Sequence, residues 1–358
     1  MIKSVIIANF KGISRCTIEG LGNINLFIGK NDSCKSTIIE TIYSTIREFV
    51  EPSLRDVIGR RTNVSFGGRE LWYGYHIDHI ISSNIGFGDG SARIRMLVEY
   101  DRKSQSINSK LRVESRVGRQ VMGEVGPVSS YFSTDFTHRS LSQGGIYATV
   151  FSESERALFW SYVANSRFID SSAKSNIKRI ERLLRDLKLQ GRDTEFGKVL
   201  FEIFHIGRHW EFMPHPDFAD ENRLAAKEGK KFAFLSGFGD GVRFGMIVAA
   251  ESMLVQNAAL FIEEIENNHH PVSLIKTVDF LVKISRKRKL QLFLTTHSPY
   301  VWNYFLKALG SSTEIKKNLH CFGVTRNIRN GVVECKSLNP EKEPEEFTAV
   351  DKELYDWH

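Results

Sequence analysis

GKNDSCKST, at positions 29–37, follows an apolar run (Ile24, Leu26, Phe27, Ile28) and precedes a helical one (Ile38, Ile39, Ile42). The stretch has the Gly-x4-x-Lys-Ser/Thr frame of a Walker A loop, in the strand–loop–helix context the motif needs. Backbone N–H groups at a helix start surround phosphate oxygens, and the helix dipole favours negative charge there. The expected nucleotide-binding residues are Gly29, Lys30, Asn31, Asp32, Ser33, Cys34, Lys35, Ser36 and Thr37. Lys35 would reach the β- and γ-phosphates, and Ser36 would place its hydroxyl on Mg²⁺. The motif has Gly where this chain has Cys34. Gly serves there because it lacks a Cβ and lets the backbone approach the phosphates. Cys is small enough to stand in, at some cost in affinity.

The chain around this loop has 358 residues, 41% of them hydrophobic and 25% charged. That is ordinary for a globular protein with a sizeable core, of one large domain or two. Its apolar runs fall short of the roughly 20 residues that cross a bilayer. The start, MIKSVIIANFKG, reads as an edge strand and not as a signal peptide. Cys16, Cys34, Cys321 and Cys335 show no CxxC spacing, so the expectation is a reducing, cytoplasmic compartment without structural zinc. The net charge of +7 permits nucleic-acid binding without demanding it. Basic clusters occur at Arg55, Arg60 and Arg61, at Lys178, Arg179, Arg182 and Arg185, and at 286–289. The last sits where a helix ends before a buried strand, and a solvated helix C-terminus explains it.

Four segments follow from composition and periodicity. Residues 1–50 and 230–340 read as one discontinuous core, 51–150 as a β-rich lobe, 151–229 as a mainly helical insertion, and 341–358 as an acidic tail with loose order. Ser152 and Glu155 form a capping box, and Leu183, Leu184 and Leu187 an apolar stripe. Residues 319–324 and 332–336 flank Asn330-Gly331 as a hairpin. Apolar strands separated by helices from 232 onward indicate a parallel sheet covered on both faces.

Three further motifs carry chemistry. LFIEEIENN, at 260–268, has the form of a Walker B strand. Glu263 would hold the Mg²⁺ shell and Glu264 would polarise the attacking water, at the sheet edge that the phosphate loop also serves. LFLTTHSP, at 292–299, would place His297 at the end of a neighbouring strand, beside Glu264 and the γ-phosphate. LSGFGDGVRFG, at 235–245, is a Gly-rich turn opening a helix, the form of a signature loop. Ser236 or the turn of Gly239, Asp240 and Gly241 would grip the γ-phosphate bound to another subunit, with the spacing to the helix favouring the turn.

In this order the four motifs resemble the ATP-binding-cassette heads of the SMC, RecF and OLD group. They are most similar to the prokaryotic AAA-type ATPases of the OLD-like class. Positions 1–33, with the NFKG turn at 9–12, resemble that class's opening; EEIENNHHP at 263–271 resembles its "DEIENGLHP", and TTHSP at 295–299 its H-loop. The implied fold is α/β: a P-loop ABC-ATPase head whose mixed sheet is flanked by helices, with a helical or mixed lobe inserted between Walker A and the signature loop. The implied cofactors are ATP and Mg²⁺, and the implied assembly is an ATP-dependent homodimer or higher oligomer. The 59 residues after TTHSP are too few for the Toprim nuclease of OLD proteins, so the expectation is an ATPase without its own effector. The chain therefore resembles the ATPase subunits of two-gene antiviral systems, in which a separate nuclease or toxin is the effector. Cys34, Asp32 and Glu263 depart from the class pattern, which is compatible with slow hydrolysis. Gln105, Gln120 and Gln143 are the candidates for a Gln-loop. Two other readings stay open: a RecF-like repair ATPase that binds DNA, and a nucleotide sensor with little turnover.

Overall fold

The computed structural model describes residues 1–48, 71, 73–76, 78–88, 92–101, 106–115, 153–173, 176–215, 218–229 and 231–339. Arg55, Arg60 and Arg61, the three Gln-loop candidates, Ser152 and the tail at 341–358 lie outside them. The chain forms two compact units, Met1–Ser166 with Lys316–His358, and Arg167–Ile315.

The first unit opens with a hairpin of β1 (Ile2–Phe10) and β2 (Ile13–Glu19). Then come β3 (Ile24–Ile28), helix α1 (Lys35–Arg47), β4 (Ile81–Phe87), β5 (Ala92–Asp101), β6 (Ser106–Ser115) and helix α2 (Glu153–Asn165). The opening strand is not an edge strand: β1 pairs antiparallel with β2 on one side and β4 on the other. Ile2, Val5, Ile7 and Phe10 are its buried residues, with the two-residue alternation kept between Val5 and Ile7 and the register shifting between Ile2 and Ser4. Alternation says nothing about how many hydrogen-bonded neighbours a strand has. Every residue of β3 is buried, as expected for a strand covered on both faces.

The second unit begins with β7 (Arg167–Ile169), α3 (Ile177–Leu189) and α4 (Asp193–Phe204). A three-stranded antiparallel sheet follows, made of β8 (His209–His215), β9 (Phe218–Glu228) and β10 (Lys231–Phe234). Next are α5 (Asp240–Leu254), β11 (Ala258–Ile262), α6 (Pro271–Arg288), β12 (Leu290–Thr296) and α7 (Pro299–Leu309). β7 and β12 pair parallel with β11, and β11 and β12 are buried throughout. Phe261 stacks on Phe293 with ring centres 4.7 Å apart. In α3 the stripe of Leu183, Leu184 and Leu187 is buried with Ile180, and the helix packs on α5. Lys287 at the end of α6 bonds Glu195, and Arg286 bonds Glu314, so this basic run is a tied helix C-terminus.

After α8 (Ser312–Asn318) the chain adds β13 (Leu319–Arg326) and β14 (Val332–Leu338) to the first unit as the expected hairpin. β13 runs parallel to β3, and β14 parallel to β2. The eight strands of this unit therefore form a mixed array in the order β6-β5-β4-β1-β2-β14-β13-β3. The fold is α/β, a large mixed sheet flanked by helices. No helix among the described residues is long and apolar enough to cross a membrane.

Candidate functional site

In the first unit, the loop between β3 and α1 passes so close to β13 that a Cβ on Gly29 would stand 2.4 Å from the Val324 carbonyl oxygen. Only Gly fits that approach. Lys35 is 4% exposed, and its Nζ donates to the carbonyls of Gly29 and Lys30, each at 2.7 Å. The ammonium is thus fixed inside the turn of the loop. Ser33 and Thr37 are buried, Ser36 and Cys34 half-buried, and Asn31 and Asp32 exposed at the tip. Asp32 (φ 64°) and Cys34 (φ 70°) are both left-handed. Cys34 stands where the Walker A frame has Gly, and a left-handed non-Gly residue costs about 1 kcal/mol or more. Cys34 also caps α1 without a side-chain hydrogen bond, and burial pushes its thiol pKa up. Below the loop, Lys11 of the NFKG turn pairs at 2.7 Å with Glu40, which is 1% exposed.

In the second unit the carboxylates lie where β11 ends. Glu263 is buried; its N–H donates to the Ile169 carbonyl, and its carboxylate accepts from the Ser171 N–H at 3.3 Å. Glu264 is left-handed (φ 47°), held there by a 2.9 Å bond from its N–H to Thr295 Oγ1. That twist turns its side chain to His297, whose Nε2 is 3.3 Å from Glu264 Oε1. Both side chains are about one-third exposed, at 33% and 36%. Glu266 accepts the His297 N–H at 2.7 Å, so it anchors the backbone that carries the imidazole. Thr295, Glu266 and Ser171 carried no signal in the sequence that set them apart from other polar residues at strand ends.

The signature-loop candidates separate. Ser236 is exposed in a short 3-10 turn, Leu235–Gly237. Gly239 caps α5, and Asp240 pairs with Arg243 in its first turn. Gly241 faces inward: a Cβ there would meet the Asn268 carbonyl oxygen at 2.1 Å. Gly239, Asp240 and Gly241 are thus the start of a helix and not a free turn. The exposed groups are those of Ser236, Gly237 and Gly239.

His269 sits among Phe204 and Phe244, with ring centres 5.9 Å from each, and neither ring nitrogen has a partner among the described residues. Burial lowers its pKa to about 4. The unfolded chain therefore takes up a proton between pH 6.5 and about 4 that the folded chain refuses, so stability falls as pH falls through that window. The full effect is roughly 3 kcal/mol. Urea unfolding at pH 7.5 and pH 4.5 should show a smaller loss in His269→Phe than in the wild type; an equal loss in both would remove this assignment.

The Gly-dependent loop of the first unit, with its buried ammonium, fits a phosphate chain, and the hard carboxylate oxygens of the second suit a divalent cation. Among the described residues no cluster of three or more His, Cys, Asp or Glu could hold a metal alone. A family model described as "AAA domain, putative AbiEii toxin, Type IV TA system" matches residues 24–303. The chain is 20% identical over 337 residues to an "ATP/GTP phosphatase" of Helicobacter pylori, covering 83% of this chain and 85% of the relative. A 69-residue stretch is 35% identical to an uncharacterized protein of Methanocaldococcus jannaschii, covering 19% of this chain and 60% of that protein. Solved structures of similar outline include the Smc head with an extended coiled coil, bound to the C-terminal domain of ScpA, from Pyrococcus furiosus (TM-score 0.49, 12% identity, 98% of this chain and 100% of that one). Another is the SMC head domain from Thermotoga maritima (TM-score 0.44, 13% identity, 94% and 99%).

Proposed function

The chain belongs to this AAA-domain family of nucleotide-binding proteins, and on that premise we propose that it is a Mg²⁺-dependent ATPase, a switch that controls a separate effector. The observation that carries the reading is the Lys35 ammonium, buried and held by two loop carbonyls at the head of α1. Lys35 and the loop amides bind the triphosphate. Ser36 would offer its hydroxyl, and Glu263 a carboxylate oxygen, to Mg²⁺, which would supply charge neutralisation for the phosphates. Glu264 orients and deprotonates the attacking water, and His297 senses the γ-phosphate. Cys34 and Glu263 make turnover slow. Ser236 and Gly239, both exposed, are the surface offered to a second head in an ATP-dependent dimer, with Asp240 and the inward-facing Gly241 forming the helix start behind them. The partner would be a nuclease or toxin, in phage defence. Phosphate release by the purified chain with Mg²⁺ and ATP, beside Lys35→Ala, tests the reading, with mass by light scattering with and without ATP. Neither turnover nor ATP-dependent assembly would reject it.

A second reading, DNA binding, is favoured by one observation. Lys178, Arg182 and Arg185 lie at i, i+4 and i+7 on α3, all exposed, on the side opposite its buried leucines. None of the three is in an ion pair among the described residues, and Arg185 lies over the Phe212 ring at 4.7 Å. Such a stripe suits a phosphate backbone. Anisotropy of a labelled duplex should report binding that falls steeply with salt and weakens in Arg182→Glu/Arg185→Glu. No binding at low salt would exclude it.

A further inference from the structure

Arg326, the last residue of β13, lies beside the phosphate loop although 294 positions separate it from Asp32. Its guanidinium donates to Asp32 Oδ2 at 3.0 Å, and its Nε is buried without an acceptor among the described residues. It also borders the β1–β2 turn and Cys34: a Cβ on Gly12 would be 3.5 Å from Arg326 Cζ and 2.9 Å from Cys34 Sγ. The pair is lopsided, because the Arg326 side chain is 19% exposed and that of Asp32 is 83% exposed. A guanidinium has five N–H donors, and removing it from water is unfavourable unless acceptors replace the water. Asp32 supplies one acceptor, from a solvated and strained position at the loop tip.

A carboxylate at the tip of a loop that takes a triphosphate is a like charge facing the ligand. Arg326 neutralises it, yet an exposed carboxylate holds its partner weakly. A phosphate chain has more charge and more oxygens and forms stronger, bidentate bonds with guanidinium. Resting on the reading of the loop as a nucleotide site, we propose that Arg326 is a phosphate ligand of that site: Asp32 holds the guanidinium beside the loop, and bound nucleotide takes it over. Asp32 then acts as an internal competitor for Arg326 and sets the affinity of the loop.

Titration calorimetry with Mg²⁺-ATP on the full chain tests this, using the wild type, Arg326→Gln, Asp32→Asn, the double variant and Lys35→Ala. Arg326→Gln should weaken ATP binding roughly 10- to 100-fold, the range for losing a charged hydrogen-bond donor. Asp32→Asn should bind ATP several-fold more tightly, and being exposed it should not disturb folding. The loss from Arg326→Gln should persist in the Asp32→Asn background. Wild-type affinity in Arg326→Gln, or unchanged affinity in Asp32→Asn, would overturn the proposal. Full rescue of Arg326→Gln by Asp32→Asn would also overturn it, because Arg326 would then only neutralise Asp32. If the wild type binds no ATP and matches Lys35→Ala, the loop reading itself fails, and this inference with it.

Discussion

Glu264→Gln is expected to lower ATP turnover at least about 10²-fold, the lower range for removing a positioned general base. Gln is nearly isosteric with Glu and keeps an acceptor oxygen toward His297 Nε2, 3.3 Å away in the wild type. The backbone of residue 264 should also keep its left-handed conformation, because its N–H bond to Thr295 Oγ1 does not involve the side chain. What the variant loses is the charge that accepts a proton from water. Nucleotide binding should therefore survive, and slow hydrolysis should hold the ATP-bound assembly long enough for its mass to be measured. Phosphate release and light scattering on the same preparation check both halves. Equal turnover in the variant and the wild type would remove the catalytic assignment of Glu264.

Lys35→Ala should act at the earlier step of binding. The ammonium carries two 2.7 Å bonds to Gly29 and Lys30 carbonyls, and it is the cation expected to meet the β- and γ-phosphates. Each hydrogen bond to a charged group is worth about 1.5–3 kcal/mol, so ATP affinity should fall 100-fold or more. The two carbonyls also lose their donor, one of them on buried Gly29. A lower melting temperature without nucleotide should accompany the loss, at a destabilisation of about 1–3 kcal/mol. Calorimetric titration and thermal unfolding separate the two effects. Unaltered ATP affinity in this variant would remove the phosphate-loop reading.

Much of the fold could be read along the chain where the determinants are local. The all-buried runs at β3, β11 and β12 alternate with helices, and two of these three strands end in motif residues. The hairpin at β13 and β14 follows from its Asn330-Gly331 turn. The interior position of β1 did not follow, because its second neighbour, β4, begins about 70 residues further along the sequence. The signature loop opens a helix, as its composition indicates, but the packing of Gly241 at that helix start against Asn268 could not be read along the chain. Turn composition reports which backbone conformations are allowed, not which backbone comes alongside.

The sequence alone determined the chemistry on offer: a lysine in a glycine-started loop after a buried strand, two acids and a histidine at strand ends, and the periodicities that make those strands and helices. These depend on residues within one or two turns of each other, so spacing encodes them. Tertiary structure alone decided which partners complete them. Arg326 reaches Asp32 over a separation of 294 residues, Thr295 holds Glu264 over 31, and Lys11 finds buried Glu40 over 29. It also decided that His269 is enclosed by Phe204 and Phe244. Such contacts arise from strand order and helix packing, where many weak apolar contacts act together. No single residue's type or spacing carries that information.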